Sequence, residues 1–446
     1  MMPQSKFPFY FIAVAMLSLL LGMIFGLLGG LQYVLPDFIK TALPFNAVRP
    51  LHTLFVVSWI LLAAIGGLYY YLSNNSSVSF FSIKLIKWHF WLFIITGFGI
   101  AISYFSKQFG GKEYLEFPSY FYFPIVIGWI LMGVNYFKTM VPLFKEWPVY
   151  YYMWATGIVL MIFHFTEAHL WILPHFRSHF IQNLAIQWKS GGSYVGSWNM
   201  LVYGTAMFVM EKISGENSYA LSRKAFFFYF LGLTNLMYGW AHHIYMVPTA
   251  AWIRYLSYGV SMTEWVILFS IIYDWKKSLS SEQKIRFSIA YKFMLLADFW
   301  VFLNIILALL ISIPTINIFT HGTHITVAHS MGTTIGINTL ILLSSISFIA
   351  NTVFNFGDRA VLLLKRGIKI FHVSFLLFWL CLLIMGLKKS IWLFGNSSES
   401  FHQFQAGQKW LNISFVSFGL GIITGLSIII FCLFRVYISK QHSKTN

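Results

Sequence analysis

Charge is scarce in this sequence: Asp, Glu, Lys and Arg together make up 10% of 446 residues, whereas 58% are hydrophobic. A soluble domain carries roughly 25% charged residues. Too little polar surface is present to face water on every side, which excludes a soluble globular fold. Acidic residues are scarcest, 13 against 30 Lys and Arg, for a formal charge of +17. In a soluble protein that balance would suggest nucleic acid. Here the basic residues mostly flank apolar runs and read as topology signals, so no nucleic-acid partner is expected. Cysteine is almost absent: Cys381 and Cys432 both lie in apolar runs, and no CxxC or CxxCH occurs. A disulfide framework and a covalent c-type haem site are thereby excluded. No convincing internal repeat and no soluble domain is visible. The first apolar run is too long for a signal-peptide core and has no small-residue cleavage site, so it reads as a retained span.

What is present in excess is apolar length. A membrane span needs about 20 mostly apolar residues. Twelve stretches qualify: 8–34, 51–73, 86–107, 118–137, 148–174, 192–211, 223–248, 255–275, 288–315, 322–352, 368–388 and 411–436. Aromatics at 20% suit interfacial belts of Trp and Tyr. The expected fold is all-α, a polytopic bundle of about twelve transmembrane helices in one membrane domain over 1–446, with the lipid bilayer as its first partner. With the N-terminus in the cytoplasm, inner segments hold twice as many lysines and arginines as outer ones. That asymmetry favours cytoplasmic placement of both termini.

The intramembrane histidines are uneven in depth. His52 opens the second span; His164 and His169 lie in the outer half of the fifth. His242 and His243 precede the outer end of the seventh, and His324 and His329 lie in the first turns of the tenth. Ionisable groups inside a membrane are costly and point to function, and neutral imidazole is a common metal ligand. For His164 and His169 a hydrogen-bonded core role competes with ligation. His89 and His372 read as interfacial, and His175, His179, His321 and His402 as loop or boundary residues. Two adjacent imidazoles at membrane depth, His242 and His243, are hard to satisfy without a metal.

Three stretches carry a resemblance. Asn46-Ala47-Val48-Arg49-Pro50-Leu51-His52-Thr53 resembles the segment opening the second helix of cbb-type cytochrome oxidases. Trp240-Ala241-His242-His243 is similar to the adjacent histidine pair of the haem-copper oxidase and nitric oxide reductase superfamily. His321-Gly322-Thr323-His324-Ile325-Thr326-Val327-Ala328-His329-Ser330-Met331 resembles the tenth-helix segment of bacterial nitric oxide reductases. The resemblance implies a subunit I-like bundle, with His52 as an axial ligand of a low-spin haem b and His329 as the proximal ligand of a high-spin haem b. It implies His242 and His243 as ligands of a non-haem metal, copper or iron. Glu264, 21 residues after His243, falls where nitric oxide reductases carry a buried Glu, and a simple interfacial acid is the competing reading.

The departures are as informative. The family places a second His two residues after the proximal one; here stands Met331. Positions i and i+2 on a helix point about 200° apart, so one helix can serve two haems, and a thioether ligand would raise the low-spin potential. The third His of the metal falls on Gly192, or on Gly191 if the helix is aligned from its far end. Glu264, Tyr194 or water could complete the pair, or the metal could be absent. The redox-active Tyr of cbb-type oxidases falls on Leu236, with Tyr238 four residues before the pair, and Val195 stands where nitric oxide reductases often carry another acid.

The resemblance thus implies a haem-containing respiratory oxidoreductase subunit of the bacterial inner membrane. It would reduce a small gas, nitric oxide or oxygen. Electrons would come from a membrane-anchored cytochrome c or copper-protein donor. The alternative is a non-catalytic haem-bearing electron-transfer, sensor or assembly protein. Asp298 is the main buried carboxylate on the inner side, Thr156, Thr234 and Asn235 are modest candidates for proton supply, and this thin set argues against efficient pumping. Glu167 and His169 could bind calcium, a haem propionate or each other.

Overall fold

The structure, a computed structural model, describes residues 5–215, 220–354, 356–395 and 397–442; the side chains of Glu146, Glu264, Phe354 and of residues from 436 onward lie outside that description. Among the described residues the chain is all-α, with no strand. The main helices are α1 (Phe7–Val34), α2 (Phe45–Ser73), α3 (Ile83–Phe105), α4 (Tyr122–Met140), α5 (Val149–Glu167), α6 (Phe180–Ser214) and α7 (Arg223–Tyr238). They continue with α8 (Ala251–Ser261), α9 (Glu264–Ser278), α10 (Ser288–Ser312), α11 (His324–Met331), α12 (Leu340–Phe354), α13 (Asp358–Phe394) and α14 (Lys409–His442). Ten helical stretches among the described residues are long and apolar enough to cross a membrane. The chain is therefore a polytopic membrane protein of the expected class.

Four expected spans differ in detail. The span expected over 192–211 is a 35-residue helix that begins at Phe180, so Gly191 and Gly192 lie inside it. The span expected over 223–248 is α-helical only to Tyr238 and continues as a 3-10 turn, Gly239–Ile244. Ser257 donates its hydroxyl to Gly239 O at 2.7 Å, and Asn235 Oδ1 packs so close to Gly239 that no Cβ would fit. The span expected over 255–275 is broken between Ser261 and Glu264, where bonds from Met262 N to Gly259 O and Thr263 N to Val260 O tighten and end α8. In the span expected over 322–352, α11 and α12 are joined by a π-helix, Gly332–Thr339.

The chain divides into two compact units, residues up to Ala15 with Ser58–Arg286, and Met16–Val57 with Phe287 onward. In the first unit, α5 and α6 interlock. A Cβ on Gly157 would lie 2.7 Å from Leu201, and one on Gly204 2.8 Å from Trp154, so each helix offers a notch to the other's side chain. Small residues permit such close approach where lipid supplies no hydrophobic drive. In the second unit α13 and α14 meet in the same way: a Cβ on Gly425 would lie 2.5 Å from Phe371 N.

Candidate metal and haem-ligand sites

In the first unit the 3-10 turn after α7 carries His242 and His243, whose ring centroids lie 4.2 Å apart at 38°. Both rings are half-buried. Three residues per turn, rather than 3.6, alter the direction in which successive side chains leave the axis, which a reading of one continuous helix missed. The Nε2–Cδ2 edge of His243 lies over Gly192 of α6: a Cβ there would be 2.5 Å from Cδ2 and 2.8 Å from Nε2. A Cβ on Gly191 would meet nothing within 4 Å. Glycine at 192 therefore gives its space to the imidazole.

The surroundings of the pair are polar but fixed. Lys189 reaches both oxygens of Glu167, at 2.5 and 2.6 Å, with both side chains about a fifth exposed. Its ammonium also stands 5.3 Å from the Trp240 ring centroid. Of the options for Glu167 and His169, mutual pairing is not what forms: Glu167 takes Lys189, and His169 Nδ1 donates to Phe165 O at 2.8 Å. Sequence reasoning missed Lys189, since two charges 22 residues apart carry no local periodic signal. His164 is buried and held to Ser197 at 2.8 Å; because Ser197 gives its proton to Ser193 O, the ring nitrogen donates. The hydroxyls of Ser190 and Ser193, flanking the two glycines, are buried with no hydrogen-bond partner among the described residues. Buried hydroxyls are normally satisfied, so these two are the unspent polar groups of this stretch of α6.

The remaining expected residues of this unit are less engaged. Tyr238 closes α7 with about half its surface open. Leu236 is buried against Gly196 of α6, so an apolar contact occupies the position of the oxidase tyrosine. Glu264 begins α9, and its side chain lies outside the described residues. Among the described residues no three His, Cys, Asp or Glu side chains gather as metal ligands. The donor set thus offers two imidazoles and does not fit a three-histidine copper site.

In the second unit His52 lies against α1. Its Nδ1 is 2.7 Å from Gly22 O. A carbonyl only accepts, so Nδ1 carries the proton and Nε2 keeps the lone pair. Metal-bound histidines are oriented by such a bond from the other nitrogen. A Cβ on Gly26 would stand 2.9 Å from Nδ1 and Cε1 of His52, so glycine there lets that edge of the ring approach the helix. His329 and Met331 are half-buried on the last turns of α11, just before the π-helix. Their backbone is pinned: Trp379 donates to Ala328 O at 2.9 Å, Thr333 to His329 O at 3.2 Å and Thr334 to Ser330 O at 2.8 Å. His324 begins the same helix after the Thr323 cap, and its Nδ1 is buried without a hydrogen-bond partner among the described residues. The tautomer of His52, with its lone pair on Nε2, is the form in which imidazole ligates iron.

Over residues 7–428 the chain matches the family described as cytochrome C and quinol oxidase polypeptide I. It is 23% identical over 352 residues to a nitric oxide reductase polypeptide of Stutzerimonas stutzeri, across 73% of this chain and 71% of that protein. A haem-copper terminal oxidase dimer solved by cryo-electron microscopy shares its fold, with a TM-score of 0.73 at 14% identity over 98% of this chain and 85% of that one.

Proposed function

Because the chain belongs to the family of subunit I polypeptides of cytochrome c and quinol oxidases, we propose that it is a haem-bearing respiratory subunit that reduces a diatomic gas, nitric oxide in preference to oxygen. The observation that carries this reading is the His242–His243 pair held beside Gly192. The likeness to a nitric oxide reductase polypeptide and the buried Leu236 in place of the oxidase tyrosine favour nitrogen-oxide chemistry. The balance is two nitric oxide molecules, two electrons and two protons to nitrous oxide and water.

His52, through Nε2, and Met331, through its sulfur, would hold the low-spin haem b, and His329 the high-spin one. The haems would supply the electron transfer and the binding of the gas. His242 and His243 would hold the non-haem metal as two of its ligands, and that metal would supply a further redox centre. Glu264 would move protons toward the pair, and Tyr238, at the rim of α7, is the lesser candidate. Lys189 and Glu167 neutralise each other beside Trp240 and keep that side of the pair fixed. Electrons would come from a membrane-anchored cytochrome c or copper-protein donor. The seat is the bacterial inner membrane, with both termini cytoplasmic.

The incomplete metal ligand set favours a second reading, a haem protein of electron transfer, sensing or assembly without turnover. Reduced-minus-oxidised and carbon-monoxide difference spectra, with haem, iron and copper quantified on the same sample, separate the two. Two haems per chain, one binding carbon monoxide, with a stoichiometric third metal and consumption of nitric oxide, are expected. Haem without the third metal and without turnover would establish the second reading, and a haem-free protein would overturn both.

A further inference from the structure

The second unit contains a basic cavity that the proposed redox role does not use. It has a volume of about 380 Å3 and is lined by Lys292 near the start of α10 and by Lys365, Arg366 and Lys369 of α13, with Leu296 and Val373 among its apolar walls. No acidic residue lines it, and among the described residues no ion pair joins any of the four cations to a carboxylate. Four like charges around one cavity repel one another. Such a cluster is stabilised by an anion carrying more than one acceptor oxygen, and a guanidinium beside ammonium groups matches a phosphate.

The apolar residues indicate what the phosphate is attached to. Lys292, Leu296 and Phe299 follow i, i+4, i+7 spacing on α10, and Lys369, Val373 and Leu377 follow i, i+4, i+8 on α13, so each set forms one stripe. Each stripe passes from a cation to apolar side chains that stay open: Phe299 is 42%, Val373 49% and Leu377 39% exposed. Phe299 touches His372 at a ring distance of 5.3 Å, which joins the two helices at that level. Helix α14 packs on the opposite side of α13, at Gly367 and Phe371, about 160° round the helix from Lys365 and Lys369. It leaves the basic face uncovered. Both helices are long and apolar enough to cross a membrane. A cationic end above an open apolar stripe is the arrangement a two-part, amphipathic anion requires.

We propose that this cavity binds the phosphate-bearing headgroup of an anionic membrane phospholipid, whose acyl chains lie along the Phe299 and Val373–Leu377 stripes. The full chain is reconstituted in nanodiscs of phosphatidylcholine containing a minor fraction of phosphatidylglycerol, and retained lipid is counted by native mass spectrometry. The triple variant Lys365→Gln, Arg366→Gln, Lys369→Gln is expected to lower phosphatidylglycerol affinity about a hundredfold, at about fivefold per cation. Phosphatidylcholine retention should not change. Should the triple variant fail to fold, Lys292→Gln on the other helix is expected to give about fivefold by itself, and Lys369→Arg to retain the lipid. Equal phosphatidylglycerol retention in wild type and whichever neutralised variant folds would overturn the proposal. Inorganic pyrophosphate separates the sources: full displacement of phosphatidylglycerol at millimolar pyrophosphate would overturn the lipid assignment in favour of a soluble anion, and retention would support it.

Discussion

Gly192 and Gly191 are neighbours in one helix and have opposite environments. A methyl group at 192 runs into the far edge of the His243 ring, and one at 191 meets nothing. Alanine is favoured over glycine inside a helix by roughly 0.5–1 kcal/mol, so Gly191→Ala should raise the melting temperature in detergent. Gly192→Ala should lose that gain and about 1 kcal/mol more, as the imidazole is pushed aside. Equal melting temperatures for the two variants would show that His243 does not rest on Gly192. At His52 the sensitive neighbour is Gly26. Gly26→Ala should displace the ring from Gly22 O and diminish the low-spin haem bands, whereas Gly29→Ala, whose methyl would meet Val48 only at 3.4 Å, should leave them unchanged. If Met331 supplies the other axial ligand, Met331→His should lower the low-spin midpoint potential in a redox titration; an unchanged potential would remove Met331 from the coordination sphere. His52, His242, His243 and His329 stand out in the sequence as candidate ligands. The contacts that tune them do not, because Gly26, Gly192 and Lys189 act through space, and a glycine has no side chain to announce its role.

At the scale of elements, two of the irregular segments, the 3-10 turn Gly239–Ile244 and the π-helix, carry or adjoin candidate ligands, whereas the 3-10 turns Ser119–Phe121, Val141–Glu146 and Leu170–Ile172 carry none. The 3-10 turn carries His242 and His243, and the π-helix follows His329 and Met331 directly. Apolar periodicity cannot reveal either, since it reports which residues avoid water and is averaged over several turns, whereas one tighter or wider turn shifts later side chains without changing composition. The π-helix has identifiable supports. A Cβ on Gly332 would lie 2.3 Å from Asn304 Oδ1, and Asn304 donates to Thr333 at 2.9 Å. Thr339 donates to Thr334 O, five residues back, at 2.8 Å, which matches the wider repeat. Gly332→Ala should therefore destabilise the protein by about 1–3 kcal/mol through overpacking. The double variant with Asn304→Ala should recover most of that loss, since it removes the obstacle. Thermal unfolding of the single and double variants checks this, and strictly additive losses would mean that Asn304 and Gly332 do not share one packing constraint.

At the scale of the whole chain, the twelve apolar stretches of the sequence meet ten helices that, among the described residues, qualify by length and hydropathy. The two that fall short, α6 and α7, carry or adjoin the candidate metal residues. Helix α6 is 35 residues long, roughly 50 Å at 1.5 Å per residue, ample for a bilayer core of about 30 Å. Its mean hydropathy is lowered by Ser190, Ser193, Ser197 and Thr205, all buried in the protein, and a residue turned away from lipid does not oppose insertion as an exposed one would. Helix α7 has only 16 residues, but the 3-10 turn extends it to Ile244. Both helices are therefore expected to cross, for a total of twelve. Because they are consecutive, the termini share one side whether or not they cross, but without the crossings Lys212, Arg223 and Lys224 would change sides and the inner excess of basic residues would shrink, so that asymmetry favours crossing without testing it directly. The segments between them supply that test. Leu221, before α7, is 53% exposed, Ala250 follows the turn at the surface, and the native Cys381 and Cys432 are buried. With membrane-impermeant maleimide on oriented vesicles, Leu221→Cys should label from the cytoplasmic side only and Ala250→Cys from the opposite side only. Labelling of both from the outer side would make this a ten-span protein, and His242 and His243 would then lie on a segment that does not cross the bilayer.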